Sequence, residues 1–150
     1  MFRRSRAARS LGGLCLALAM GTSAAANPVA SIKVTNGLAS ADLAYVASAS
    51  ALGGYVSSDN TPLATIPRQS TDAFTVASTS AHALAGELIY RTAGDPSREC
   101  TFRYTLVFAG GRYALSVEGR VSWTGQVACT ASASVPDKTG GNFAVTFTMK

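Results

Sequence analysis

The sequence of 150 residues offers few side chains that could do catalytic chemistry. Its one histidine, His82, follows the hydroxyl-rich residues 78–81 (STSA). A serine or threonine nucleophile needs a neighbouring base, so His82 is the candidate base of a hydrolase. The G-x-S-x-G turn of α/β-hydrolases is absent, however, and an exposed loop histidine is the simpler interpretation.

The carboxylates are open to two interpretations, since their spacing alone does not exclude a pair of the kind that glycoside hydrolysis uses. The eight Asp and Glu residues are scattered, and most fall in turns or at outward-facing positions, so we interpret them as solvated surface. No H-E-x-x-H, EF-hand, P-loop or dinucleotide-binding pattern occurs. The sequence therefore predicts a protein that is not an enzyme and needs neither a cofactor nor a metal.

The first 26 residues have the three parts of a secretory signal peptide. Four arginines lie within the first ten positions, residues 11–20 are apolar, and residues 23–26 (SAAA) suit a signal peptidase. We expect residues 1–26 to be cleaved and residues 27–150 to reach the periplasm or the outside of the cell. No segment offers the ~20 apolar residues of a transmembrane helix.

Cleavage would change both the cysteine count and the charge. Cys15 would leave with the signal peptide, and Cys100 and Cys129 would remain in an oxidising compartment, where we expect a disulfide. The alternatives are a reactive thiol and a metal pair, but zinc would need two more ligands and there is one histidine. The formal charge of +5 falls to +1, because nine basic residues then face eight acidic ones. The basic and acidic residues are interspersed, so no concentrated positive surface is expected. This argues against nucleic acid as a partner.

Apolar residues alternate along the chain with the period of two that is typical of β-strands. The clearest case begins at Cys100, where even-numbered residues to Phe108 are apolar and predicted to face inward. Gly110 and Gly111 then suit a two-residue hairpin turn. This turn pairs Phe108 with Tyr113 and sets Arg103 near Glu118.

Turn residues about ten positions apart predict an all-β fold, an antiparallel β-sandwich of eight or nine short strands. Residues 118–120 (EGR) look like a connection between strands, after which odd-numbered residues continue inward as far as Val135. Residues 39–52 would tolerate a helix, but their alternation favours a strand. No linker or repeat divides residues 27–150, so we expect a single domain.

Surface recognition is the function that remains, and two aromatic residues are candidates for it. Tyr55 follows two glycines in an expected loop, and Trp123 is the only tryptophan. Aromatic side chains in loops can anchor in lipid head groups or in a partner's pocket. The phase of the alternation also allows Trp123 a place in the core.

The order of elements in the first half resembles that of aegerolysins, which are secreted β-sandwich proteins. The resemblance spans roughly residues 31–91 and rests on residues 32–36 (IKVTN), the strand around Leu43, residues 53–55 (GGY), residues 62–67, Phe74 and residues 86–90 (GELIY). It implies a fold similar to that of actinoporins and binding to membrane lipids. No individual binding residue is carried over, because the matching positions belong to strands and turns.

Two functions from different classes follow. The first is a secreted module that recognises membrane lipids or surface glycans, and it predicts aromatic side chains clustered at one exposed end of the sandwich. The second is a periplasmic inhibitor or immunity protein, which would bind a protein partner through a protruding loop or an exposed edge strand.

Overall fold

Ten β-strands and no helix occur among the residues that the structure describes. The computed structural model describes residues 26–50, 54–56, 61–122 and 126–150, with the backbone alone for 47–50 and 54–56. Within those ranges no helix is long and apolar enough to cross a membrane. The strands are β1 (Val29–Asn36), β2 (Leu43–Ser50), β3 (Gly54–Val56), β4 (Thr65–Ile66), β5 (Thr71–Ser78), β6 (Ala83–Thr92), β7 (Asp95–Ala109), β8 (Arg112–Val121), β9 (Cys129–Ala133) and β10 (Phe143–Met149).

The strands form two five-stranded sheets, in the orders β3-β5-β1-β10-β9 and β4-β2-β6-β7-β8. Every neighbouring pair is antiparallel except β1 and β10, which run parallel. The predicted all-β sandwich is confirmed. The described residues hold ten strands rather than eight or nine, because β3 and β4 are only three and two residues long.

Alternating side chains from both sheets fill the space between them. Phe102 of β7 stacks on Phe147 of β10, with their ring centroids 4.8 Å apart, and both rings are fully buried. Ile32, Phe74 and Val145 on the other strands are equally inaccessible to water. Removing these apolar surfaces from water is the main driving force for assembling the two sheets.

The predicted hairpin between β7 and β8 is confirmed in every pair. Phe108 lies opposite Tyr113, and Arg103 lies opposite Glu118. Gly110 and Gly111 have φ angles of 59° and 78°, the left-handed conformation that this tight turn requires. The Arg103 guanidinium nevertheless forms its ion pair with Glu87 of β6, its neighbour on the other side.

The connection predicted at residues 118–120 is wrong, since β8 continues through Gly119 to Val121. Gly119 has a different role there. A Cβ atom at this position would lie 2.9 Å from the backbone carbon and oxygen of Cys129. The glycine therefore lets the first residue of β9 pass close to β8.

The predicted disulfide between Cys100 and Cys129 is present, with 5.7 Å between the Cα atoms. Cys100 is fully buried in β7, and Cys129 begins β9 of the opposite sheet. The bond therefore joins the two layers of the sandwich. It lies far along β7 from the hairpin turn, because Cys100 pairs with Val121 at the other end of β8.

Residues 43–50 of the ambiguous segment 39–52 form a strand, β2, as the alternation predicts. The pairing of β2 with β6 shifts between Tyr45 and Ala47, so a bulge interrupts the ladder there. Val46 lies at this bulge and is 38% exposed.

Candidate binding site

Three connections come together at one end of the sandwich. The pairing of Ala83 with Val107 brings the start of β6 beside the end of β7, next to the hairpin turn. The β9–β10 connection reaches the same end, where the Asn142 side chain accepts a hydrogen bond from the Val29 amide at the start of β1. We call residues 79–82, 107–113 and 134–142 the hairpin end.

Aromatic rings form a row across the hairpin end. The His82 imidazole stacks against Phe108 with their centroids 5.7 Å apart, and Phe108 contacts Tyr113 at 4.9 Å. Phe108 was predicted to face inward, but it is 36% exposed, while Leu106 is fully buried. The alternation holds, but β7 is 15 residues long and its last residues extend beyond the buried core.

Tyr113 connects the three segments of this end. Its hydroxyl donates a 2.9 Å hydrogen bond to the carbonyl oxygen of Ala81. Its ring lies against Gly141, where a Cβ atom would be 2.6 Å from the ring, and Gly141 has a φ of +70°. Glycine is therefore required at this position by both its backbone conformation and the packing of Tyr113.

The Asp137 carboxylate organises the β9–β10 connection. Its Oδ1 accepts hydrogen bonds from the amides of Thr139, Gly140 and Gly141 and from the Thr139 hydroxyl. Its Oδ2 accepts one from the Asn142 amide. These donors, above all the Gly140 amide, lower the pKa of Asp137 to about 2, so the carboxylate is ionised at neutral pH.

Val135 is the most exposed large apolar residue among those that the structure describes, at 90%. The prediction that it faces inward is wrong, because β9 ends at Ala133 and the chain leaves the sheet before Val135. The predicted inward phase also fails at Val121, which is 39% exposed, and at Ala133, the exposed last residue of β9. Val135 instead projects into water at the same end of the molecule as Phe108.

A pocket of about 340 Å³ lies between the hairpin and the β9–β10 connection. It has an apolar side at Val135 and a cationic side at Arg112 and Lys138, whose side chains are exposed. The residues that line it are Gly111, Arg112, Tyr113, Val135, Pro136, Asp137 and Lys138. This volume is in the range of small-ligand sites.

The structure describes the two predicted recognition residues only in part. Tyr55 lies in β3, where its backbone pairs with Ala77 near the strand ends that form the hairpin end. Its side chain lies outside the described residues, as does Trp123 entirely. The described neighbour Ser122 donates a backbone hydrogen bond to Glu99, at the opposite end of the sandwich.

Sequence reasoning missed Phe108, Tyr113 and Val135 as surface residues of one site. A signal for the first two was available, because they form the second pair from a two-residue turn, where a strand often extends beyond the opposing sheet. His82 was correctly predicted as an exposed loop residue. Among the described residues no Asp or Glu hydrogen bonds to its ring, and no group of three metal-ligating side chains occurs.

Comparison with known proteins shows a shared fold. No protein-family model matches the sequence, and no curated protein matches it. The crystal structure of a lipid-binding protein, Nakanori, superposes with a TM-score of 0.54 and 15% identity, covering 82% of this chain and 71% of that one. The RahU protein, crystallised with a TRIS molecule, gives a TM-score of 0.60 and 13% identity, covering 81% and 93%.

Proposed function

We propose that this protein is an exported, non-enzymatic module that binds membrane lipids through its hairpin end. The observation that carries the proposal is the placement of Phe108 and Val135, two exposed apolar side chains, at the same end of the sandwich. The aromatic row beside them agrees with the cluster that a lipid-binding function predicts.

Two likenesses to other proteins support this proposal. The fold is shared with a lipid-binding protein, Nakanori. The sequence of residues 31–91 separately resembles aegerolysins, whose members bind membrane lipids. Export, which the first 26 residues predict, would bring the protein to such a surface.

The loops of the hairpin end are suited to entering a membrane without a change of conformation. The Asp137 hydrogen bonds and the Tyr113 contacts hold both loops in one conformation before any ligand arrives. A preorganised tip loses little conformational entropy on binding. Moving Val135 from water into the interfacial region would favour binding by roughly 1.5 kcal/mol, and the exposed part of Phe108 adds to this.

Liposome co-sedimentation tests the proposal. We expect the protein, purified after export, to sediment with lipid vesicles, and Phe108→Ser combined with Val135→Ser to weaken binding by about tenfold or more. The control combines Val46→Ser with Leu63→Ser, because these residues are 38% and 50% exposed and lie outside the hairpin end. The control variant should bind like the wild type.

The same experiment separates the lipid proposal from its alternatives. If no vesicle composition sediments the protein, or if both variants lose binding equally, the lipid proposal is wrong. A surface glycan or a protein target, as for an inhibitor or immunity protein, would then be the partner to seek.

A further inference from the structure

Two cationic side chains at the pocket have no acidic partner among the residues that the structure describes. The ion pairs in those ranges join Arg91 with Glu99, Arg103 with Glu87, and Arg120 with Glu118. Arg112 and Lys138 belong to none of them, and both line the pocket. Their charges are therefore available to a ligand.

The acid nearest to these cations in the sequence is Asp137, which also lines the pocket. Its two oxygens already accept four backbone amides and the Thr139 hydroxyl within its own loop. This carboxylate reduces the net charge of the pocket to +1, but its hydrogen-bonding capacity is directed into the loop. The free donors of the pocket are thus the Arg112 guanidinium and the Lys138 ammonium group.

The arrangement of charge and apolar surface matches the layers of a membrane interface. Val135 lines the same pocket and is 90% exposed, and Phe108 lies four residues before Arg112, across the hairpin turn. If these two side chains enter the apolar layer, long Arg and Lys side chains beside them can reach the head-group layer. Phosphate oxygens are the anionic acceptors found there, and both cations bind phosphate well.

We propose that this pocket binds the phosphate of an anionic phospholipid in a membrane, with Arg112 and Lys138 as its ligands. The inference rests on the proposed lipid-binding function and adds the class of lipid. A free phosphate ion would meet the same cations, but it would leave Val135 and Phe108 exposed. The adjoining apolar residues therefore favour the membrane-bound source.

Charge-neutralising variants test this inference on vesicles of two compositions, phosphatidylcholine alone and phosphatidylcholine with phosphatidylglycerol. We expect the wild type to prefer the anionic vesicles, and Arg112→Gln with Lys138→Gln to weaken that binding by about fivefold per cation, about 25-fold in all. Binding to phosphatidylcholine alone should fall much less, because the choline ammonium group offsets the charge of its phosphate. The matched control combines Lys33→Gln with Arg68→Gln, which removes the same charge from exposed residues outside the hairpin end.

The possible results distinguish a failure of the phosphate site from a failure of the proposed lipid-binding function. Equal losses in the pocket variant and the control would show general attraction to a charged surface, and would overturn the pocket as a phosphate site. A wild type that binds both vesicle types equally would also overturn it, while lipid binding would stand. Absence of binding to either vesicle would contradict the proposed function itself.

Inorganic phosphate provides the remaining arm of the experiment. We expect millimolar phosphate to displace the protein from anionic vesicles no more than sodium chloride does at the same ionic strength. Tight binding of inorganic phosphate without vesicles, lost in the Arg112→Gln and Lys138→Gln variant, together with vesicle binding that this variant retains, would identify a site for the free ion and contradict the membrane assignment.

Discussion

At the scale of single residues, Asp137 determines the shape of the candidate site. One carboxylate accepts hydrogen bonds from four consecutive backbone amides, those of residues 139–142. These amides lie outside the strands, so the carboxylate takes the place of the carbonyl acceptors of a neighbouring strand. Val135 and Lys138, which line the pocket, lie within three residues of it. The exposed residues of the loop therefore depend on the hydrogen bonds of one carboxylate.

The depressed pKa of Asp137 predicts a pH dependence of stability. The pKa is about 2 in the folded protein and 3.8 ordinarily, so ionisation contributes stability that is present above pH ~4 and lost as pH falls towards 2. Asp137→Asn should lower the free energy of unfolding at pH 6, and the difference from the wild type should shrink at pH 2.5. Denaturant titrations at both pH values measure it, and a constant difference would contradict the assignment.

At the scale of elements, strand pairing was predictable where turn chemistry fixes the register. Gly110 and Gly111 determined the pairing of β7 with β8, including Phe108 with Tyr113. Gly119 was wrongly assigned to a turn. Glycine is required there by the close backbone of Cys129, and the sequence alone does not distinguish this role from that of a turn glycine. The parallel pairing of β1 with β10 was also inaccessible, since alternation does not encode strand direction.

The candidate site was harder to predict than the fold, because its residues are exposed only through where the strands end. Alternation identifies which side chains share a face, but not where the opposing sheet ends. Phe108 has the inward phase, but it is exposed because β7 extends beyond the buried core. Val135 is exposed because β9 ends before it. Both facts depend on the relative lengths of elements that are distant in sequence.

The disulfide supplies a prediction at the same scale. Replacing both Cys100 and Cys129 by alanine should lower the free energy of unfolding by about 3 to 4 kcal/mol, because the bond closes a loop of 29 residues in the unfolded chain. Denaturant unfolding measures this. Under conditions where the variant is folded, vesicle binding should be unchanged, since the bond lies at the other end of β7. Equal stability of the two proteins would refute the role of the bond.

At the scale of the whole molecule, the disulfide and the proposed binding site lie at opposite ends of the sandwich. The Cys100–Cys129 bond joins the two sheets near Ser122, while the exposed apolar side chains and two free cations of the pocket lie at the hairpin end. A membrane-binding module with this layout would meet the bilayer with its hairpin end and keep the disulfide end in water. The Leu63 amide donates a hydrogen bond to Asp72, which pairs with Val34 towards the end of β1 that lies away from the hairpin end. Leu63, which is 50% exposed, would then remain in water.

An environment-sensitive fluorophore reports this orientation directly. Val135→Cys and Leu63→Cys, each labelled with the dye NBD, compare the two ends of the molecule on anionic vesicles. If the hairpin end enters the membrane, the label at position 135 should show a blue shift and a rise in NBD emission, and the label at position 63 should show no change. Emission that changes at position 63 but not at position 135 would contradict the claim that the hairpin end enters the membrane.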